Sequence, residues 1–481
     1  MTSDFVEHQN LFIGGKWRRP HSTKRIRVVS ANTERIIGSV PHANGTDVDT
    51  AVTAARAAFC DPSGWASHKP EDRAQVLRRF ADALDRRASR IAPLVSDQSG
   101  MPIHLARESE AVWPGYLLRY YADLLDGEVG DQDEERAVSL LRRVPVGVVA
   151  AVVPWNSPIF MAVLKLAPAL AAGCTVVLKP APETVLDSVL LVEAALEAGL
   201  PDGALNVVWG ERGTGAYLIS HPEVDKVSFT GSTASGRWIG EVCGRLLRPV
   251  SMELSGKSAA LVLEDADLDL VRLGDDLAAA FYGNSGQTCF LTARVLAPRR
   301  RYDEVVELVT TLARSIPVGN SLEPGMIVGP LVSARQRDRV EGYIAKGREE
   351  GARLVTGGGR PMGLQQGWFV EPTVFADVDN DSVIASEEIL GPVVTITPHD
   401  GDEDAVRLAN DSAYGLAATI WTGDIGRGLQ VARKLETGSV GINGYYPDFT
   451  SPTTMIKASG VGLRFGPEAL LSYWRYQAVY Y

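Results

Sequence analysis

From residue 147 onward, short β-branched runs alternate with helix-like stretches, and this alternation restricts the fold more than any other feature of the chain. The runs are 147–153, 175–178, 205–208 and 226–230, with helix-like stretches at 160–172, 185–198 and 213–220 between them. Strands joined through helices lie parallel, and a parallel sheet buries both faces under helices. A second series of the same kind runs from about 258 to 445. The 481 residues exceed one ordinary core, so two α/β domains and an appendage are expected.

Other stretches carry local signals. Residues 11–17, LFIGGKW, read as a strand and tight turn. Thr46 is expected to cap a helix, with Asp47 and Asp49 in its first turn and apolar residues at helical spacing to Phe59. One helix is expected from Glu71 to about Ser96. Residues 126–145 pass from an acidic, Gly-containing segment into AVSLLRRV, the pattern of a protruding hairpin. The terminal stretch 472–481, SYWRYQAVYY, reads as an aromatic strand that needs a partner edge to avoid aggregation.

Composition excludes several classes. A formal charge of −11 and the lack of a basic block argue against nucleic acid as a partner. Cys60, Cys174, Cys243 and Cys289 are scattered without C-x-x-C spacing or neighbouring histidines. No zinc site, other metal site or disulfide framework is therefore expected. The N-terminus lacks a signal-peptide pattern, and the most apolar run ends at Pro154, too short to span a bilayer. A soluble protein of a reducing cytoplasm, with no membrane partner, is the expectation.

Several motifs offer chemistry. Cys289 closes the run GNSGQTC, polar and glycine-rich where a structural thiol normally sits among aliphatics. Such a setting suits an approachable nucleophile, although the peptide alone fits a buried structural thiol as well. Pro154-Trp155-Asn156 follows a buried strand, where the Asn amide can face a developing oxyanion or merely make a turn. Lys179 and Glu183, in KPAPET, suit a nucleotide ribose or phosphate, and equally a solvated loop. The run FTGSTASG leads from strand into helix and places Gly231 and Ser232 where a pyrophosphate can bind, without the G-x-G-x-x-G fingerprint. Glu253, in MELSGK, is a general base or one half of a surface ion pair. Glu387 and Glu388 precede another buried strand.

Each motif is weak alone, but their order is not. PWN, K-P-x-x-E, FTGST, MELSGK, GQTC, EEILGP and Gly441-Ile442-Asn443 follow one another as in the aldehyde dehydrogenase superfamily, and the chain resembles that family over essentially its whole length. The resemblance implies a Rossmann-like dinucleotide-binding domain (1–125 and 146–255), an α/β catalytic domain (256–456) and a small β oligomerisation arm (126–145 and 472–481). It implies that Cys289 attacks an aldehyde, that Asn156 and the Cys289 backbone N–H stabilise the oxyanion, and that Glu253 activates water against the resulting thioester, with Lys165 nearby. Cofactor positions are implied at Val153, Trp155, Lys179, Glu183, Gly215, Gly231, Ser232, Leu254, Gln336 and Glu388. The substrate channel is implied at Trp113, Met161, Leu164, Tyr446 and Phe449. No cation is placed there for a substrate carboxylate, so an uncharged, fairly bulky aldehyde is expected. The family assembles as dimers or dimers of dimers, and the same is expected of this chain.

Some positions depart from the family pattern. Pro182 stands where the family often has the ribose-binding Glu, which leaves NAD favoured and NADP acceptable. Residues 452–464 read PTTMIKASGVGLR, so Arg464 replaces a Glu that relays protons from the general base; the proton must leave by another route. Two rival functions remain open at this stage: a CoA-acylating relative that releases the thioester to a thiol, and a nucleotide-binding scaffold without catalysis.

Overall fold

The computed structural model describes residues 5–127 and 133–481. The first parallel series forms an eight-stranded sheet. Its strands lie in the order Gly460–Val461, Val250–Glu253, Lys226–Thr230, Val148–Val152, Thr175–Lys179, Leu205–Val207, Leu11–Ile13 and Lys16–Arg18. The five central strands are parallel, and four of them are buried at every residue. Burial on both faces explains why they read as unbroken apolar runs. Chain order runs outward in both directions from Val148–Val152, so the crevice at that strand's carboxyl end is the sheet's switch point, the usual ligand site of such folds.

The second series forms a seven-stranded sheet ordered Arg353–Thr356, Thr373–Ala376, Val393–His399, Arg294–Pro298, Ala259–Val262, Ala417–Trp421 and Ser439–Ile442. All neighbours are parallel except the first pair. After Ser439–Ile442 the chain returns to the first sheet, where Gly460–Val461 pairs antiparallel with Val250–Glu253. Only glycine fits at 460, because its φ is +135° and a Cβ would come within 1.9 Å of the Met252 carbonyl oxygen.

Three local expectations change. Asn44, not Thr46, caps helix Gly45–Cys60, because Asn44 and Asp47 form a reciprocal capping box at 3.1 and 3.0 Å. The helix expected over 71–96 is two, Pro70–Asp85 and Ala88–Ser99. Arg87 turns the chain between them and donates to the Ala83 carbonyl at 2.8 Å, a C-terminal interaction that apolar spacing does not encode. The tail strand Trp474–Tyr480 finds its partner within the chain, pairing along its whole length with Ser139–Pro145, which also pairs with Glu134–Arg136. Residues 128–132 of the expected arm lie outside the described residues. No helix among the described residues is long and apolar enough to cross a membrane.

Candidate active site

The two sheets meet at the loop that follows helix Leu270–Tyr282. Asn284, Ser285 and Gly286 are all left-handed, with φ of 51°, 58° and 76°. A Cβ at 286 would sit 2.1 Å from the Gly391 carbonyl oxygen. Such backbone costs about 1–3 kcal/mol for each non-glycine residue and persists only where its surroundings fix it. Here they do: Asn284 Nδ2 donates to the Asn156 carbonyl at 2.8 Å, Gly329 N–H to Ser285 Oγ at 2.9 Å, and Val332 N–H to Gln287 Oε1 at 2.9 Å. The turn delivers Cys289 half-buried, its Sγ 3.9 Å from Glu253 Oε1. Burial pushes the thiol pKa up, the Glu253 carboxylate adds to the shift, and Arg464 opposes it. Asn156 Nδ2 donates to the Gln287 carbonyl at 2.8 Å, which holds its amide beside the same loop.

Glu253 ends its strand against two cations. Arg464 Nη1 donates to Glu253 Oε1, and both side chains are buried. Lys165, on the buried helix Pro158–Ala171, donates to Thr230 Oγ1 at 2.8 Å. Burial lowers the Lys165 pKa to about 8 although Glu253 pulls the other way. The structure thus brings Cys289, Glu253, Asn156 and Lys165 together.

A groove opens on the first sheet's side. Val153, Trp155, Lys179, Gly231, Ser232 and Leu254 all lie at or just beyond carboxyl ends of adjacent parallel strands. Ser232 Oγ caps helix Thr233–Arg245, leaving that helix's N-terminus facing the groove. Lys179 is buried, and burial lowers its pKa to about 8, with Glu183 and Glu211 opposing. Its side chain is largely covered, and among the described residues its ammonium makes no hydrogen bond to protein and keeps access to the site. Gly215 lies against the aliphatic part of Lys179. An ammonium with no protein partner among the described residues, at a strand's carboxyl end and against Gly215 in the first turn of helix Arg212–Ser220, fits the hydroxyls and phosphates of a dinucleotide. Glu388 closes the groove's inner end, accepting from Gly256 N–H at 3.1 Å. Two expected cofactor residues are engaged elsewhere: Glu183 pairs with Arg335 at 3.1 Å, and Gln336 Nε2 donates to the Leu390 carbonyl at 2.8 Å.

On the opposite side of Cys289 lies a cavity of about 430 Å³. Trp113, Met161 and Tyr446 line it, together with Asn156 and Thr288. Phe290 and Tyr445 form one wall, stacked with ring centroids 5.0 Å apart. Leu164, expected on this channel, faces instead a small chamber shared with Glu253 and Arg464, because it lies one turn further along helix Pro158–Ala171 than Phe160, beyond the residues that line the cavity. Phe449, also expected on the channel, stands behind the lining residues Trp113 and Phe160, packed against them at centroid distances of 5.3 and 5.5 Å.

Residues 17–479 match the model of the aldehyde dehydrogenase family. The chain belongs to that family. It is 52% identical to geranial dehydrogenase of Castellaniella defragrans, over 99% of both chains, and 41% identical to phenylacetaldehyde dehydrogenase of Pseudomonas fluorescens, over 97% of this chain and 94% of the other. Among solved structures, a Mycobacterium tuberculosis aldehyde dehydrogenase complexed with NAD+ superposes with a TM-score of 0.96 at 45% identity, over 99% of both chains. A mutant aldehyde dehydrogenase C of Pseudomonas syringae, complexed with NAD+ and octanal, gives 0.94 at 35% identity, over 100% of this chain and 97% of that one. The protein is therefore an oxidoreductase that converts an aldehyde to a carboxylic acid with a nicotinamide cofactor.

Within this aldehyde dehydrogenase, the sequence left several site residues unseen. Phe290 was detectable by its adjacency to Cys289. Phe160, Tyr445 and the ion pair between Arg464 and Glu253 carry no local signal, since their partners lie far away in sequence.

Proposed function

We propose that this dehydrogenase acts on an uncharged, bulky, largely apolar aldehyde, with NAD as its preferred cofactor. One observation carries the substrate reading: among the described residues no Lys or Arg lines the 430 Å³ cavity, whose acidic lining residues are Asp275 and Asp276. A substrate carboxylate there would meet repulsion from the two aspartates and no Lys or Arg to offset it. The aromatic wall offers instead the apolar surface by which such pockets hold ligands. Relatives that act on geranial and phenylacetaldehyde, and a neighbour bound to octanal, support the same class.

In this reading the Cys289 thiolate adds to the aldehyde carbon, and Glu253, 3.9 Å away, is placed to take the thiol proton. The Asn156 amide, with one N–H on Gln287 and a second to spare, steadies the thiohemiacetal oxygen together with the Cys289 backbone N–H. When bound, the nicotinamide supplies the hydride acceptor. Val153, Trp155, Lys179, Gly215, Gly231, Ser232, Leu254 and Glu388 would hold the dinucleotide. Glu253 then activates the water that hydrolyses the thioester. NAD complexes of relatives at 45% and 35% identity support the cofactor. NADP remains acceptable in this scheme because Arg335 engages Glu183. The four free cysteines suit a reducing cytoplasm, and the uncovered edges of the tail sheet suit assembly into dimers or dimers of dimers.

The test is an aldehyde panel followed by NADH absorbance, with and without CoA. A branched or aromatic aldehyde should exceed an anionic semialdehyde in kcat/KM by about 10²-fold or more, and free acid should form even with CoA present. Preference for the semialdehyde, or a CoA thioester as product, would refute the reading.

A further inference from the structure

Behind the general base lies a second, much smaller chamber of about 30 Å³. Lys165, Ser228, Ser251, Glu253, Arg464 and Tyr473 supply its polar lining. Its volume exceeds the roughly 10–15 Å³ of accessible space that one water needs, and the site offers the two to four polar partners by which a buried water is held. Arg464 provides the independent sign of such a water. One guanidinium nitrogen, Nη1, is committed to Glu253 Oε1, while the Nε–H is buried with no hydrogen-bond partner among the described residues. A buried donor of this kind is nearly always satisfied, by water where protein does not reach it.

We propose that Arg464 is a positioning residue that pins Glu253, and that the water it holds in this chamber carries the proton away from the general base. The proposal rests on the deacylation role given to Glu253 above. The geometry gives each atom a part. Arg464 holds Glu253 through Oε1, the oxygen that also faces Cys289 Sγ at 3.9 Å, and leaves Oε2, without a protein donor among the described residues, to take a proton from the attacking water. The hydroxyl of that water joins the acyl carbon, the C–S bond breaks with its electron pair staying on sulfur, and the acid departs. The proton on Glu253 then passes to the chamber water, which hands one of its own outward. Tyr473 OH donates to Ser228 Oγ at 3.2 Å and Lys226 Nζ to Ser251 Oγ at 3.0 Å, so the chamber's far wall is hydrogen-bonded. Ser251 and Ser472 there are only half-buried, which brings the wall to the protein surface. One Lys165 N–H goes to Thr230 Oγ1 at 2.8 Å, and the same ammonium lines the chamber with N–H groups to spare for its water.

The experiment measures steady-state turnover and, by intact mass after acid quench, the fraction of Cys289 carrying an acyl group. Arg464→Gln should lower turnover roughly tenfold or more and accumulate acyl-enzyme, whereas a merely structural loss would lower both. Hydroxylamine, which takes the acyl group directly as the hydroxamate, should restore NADH production, and Arg464→Lys should recover part of the rate. Ser228→Val fills the chamber without touching the ion pair, and should slow turnover and raise its solvent deuterium isotope effect. Glu253→Gln is the reference. If it accumulates no acyl-enzyme, the deacylation reading beneath the proposal fails. If it does and Arg464→Gln turns over normally, or accumulates none, the proposal alone is overturned.

Discussion

The groove and the cavity on either side of Cys289 are built by different means. The groove draws on one stretch of chain, from Val153 to Gly256, with Glu388 as its main outside contributor. It uses strand ends, a helix N-terminus and one buried lysine. The cavity gathers side chains from near 101–113, 156–161, 275–292, 327 and 445–447, and no two of these segments are neighbours in sequence. In the proposed reading, backbone geometry fixed by a parallel sheet is assigned to the cofactor, which is common to every reaction of such an enzyme. Side chains collected from many elements are assigned to the aldehyde, which differs. The first kind of site tolerates little change, and the second can be reshaped one residue at a time.

Three changes would break or sharpen that contrast. The largest concerns the residue between the two sites. Cys289→Ala should reduce oxidation by at least about 10³-fold while dinucleotide binding, followed by fluorescence titration, stays near the wild-type value. Turnover within tenfold of wild type would end the assignment.

On the cavity side, Phe290→Ala removes half of the stacked wall with Tyr445. Lost apolar contact of this size is worth about 1–3 kcal/mol in discrimination, or roughly 10–200-fold. We expect kcat/KM for an aromatic or branched aldehyde to fall within that range, with little change for acetaldehyde and none in dinucleotide affinity. Equal losses for both aldehydes would mean that the wall positions Cys289 and does not select.

On the groove side the effect is smaller and depends on pH. The Lys179 ammonium is charged below about 8 and neutral above it. An ammonium attracts a 2′-phosphate more than it attracts a hydroxyl. NADP affinity should therefore weaken several-fold as pH rises through that value, with NAD affinity changing less, and Lys179→Met should abolish the difference. Parallel NAD and NADP titrations between pH 7 and 9 would show it. An NADP affinity that does not respond would remove Lys179 from the phosphate's reach.

The chain announces its groove because short-range chemistry makes it. Alternating runs dictate the parallel sheet, and Pro154-Trp155-Asn156, the FTGST run and Glu253 stand at strand ends wherever such a sheet forms. GNSGQTC likewise carries its own turn residues, so Cys289 was visible as an exception to the way cysteines usually sit. Other features needed the folded molecule. Asn44 outcompeted Thr46 because its partner is Asp47, a choice between two adequate caps that geometry settles. Leu164 and Phe160 share a helix that is buried all round, so periodicity could not assign one to the chamber and the other to the cavity. Arg464 reads in sequence only as a departure from the family. It meets Glu253 because the return strand pairs Glu253 with Gly460, bringing together residues 211 positions apart. Sequence determined which groups this enzyme has at its strand ends. Tertiary structure decided which charges face them, since a pairing register between distant strands is set by the packing of the whole sheet and not by any local pattern.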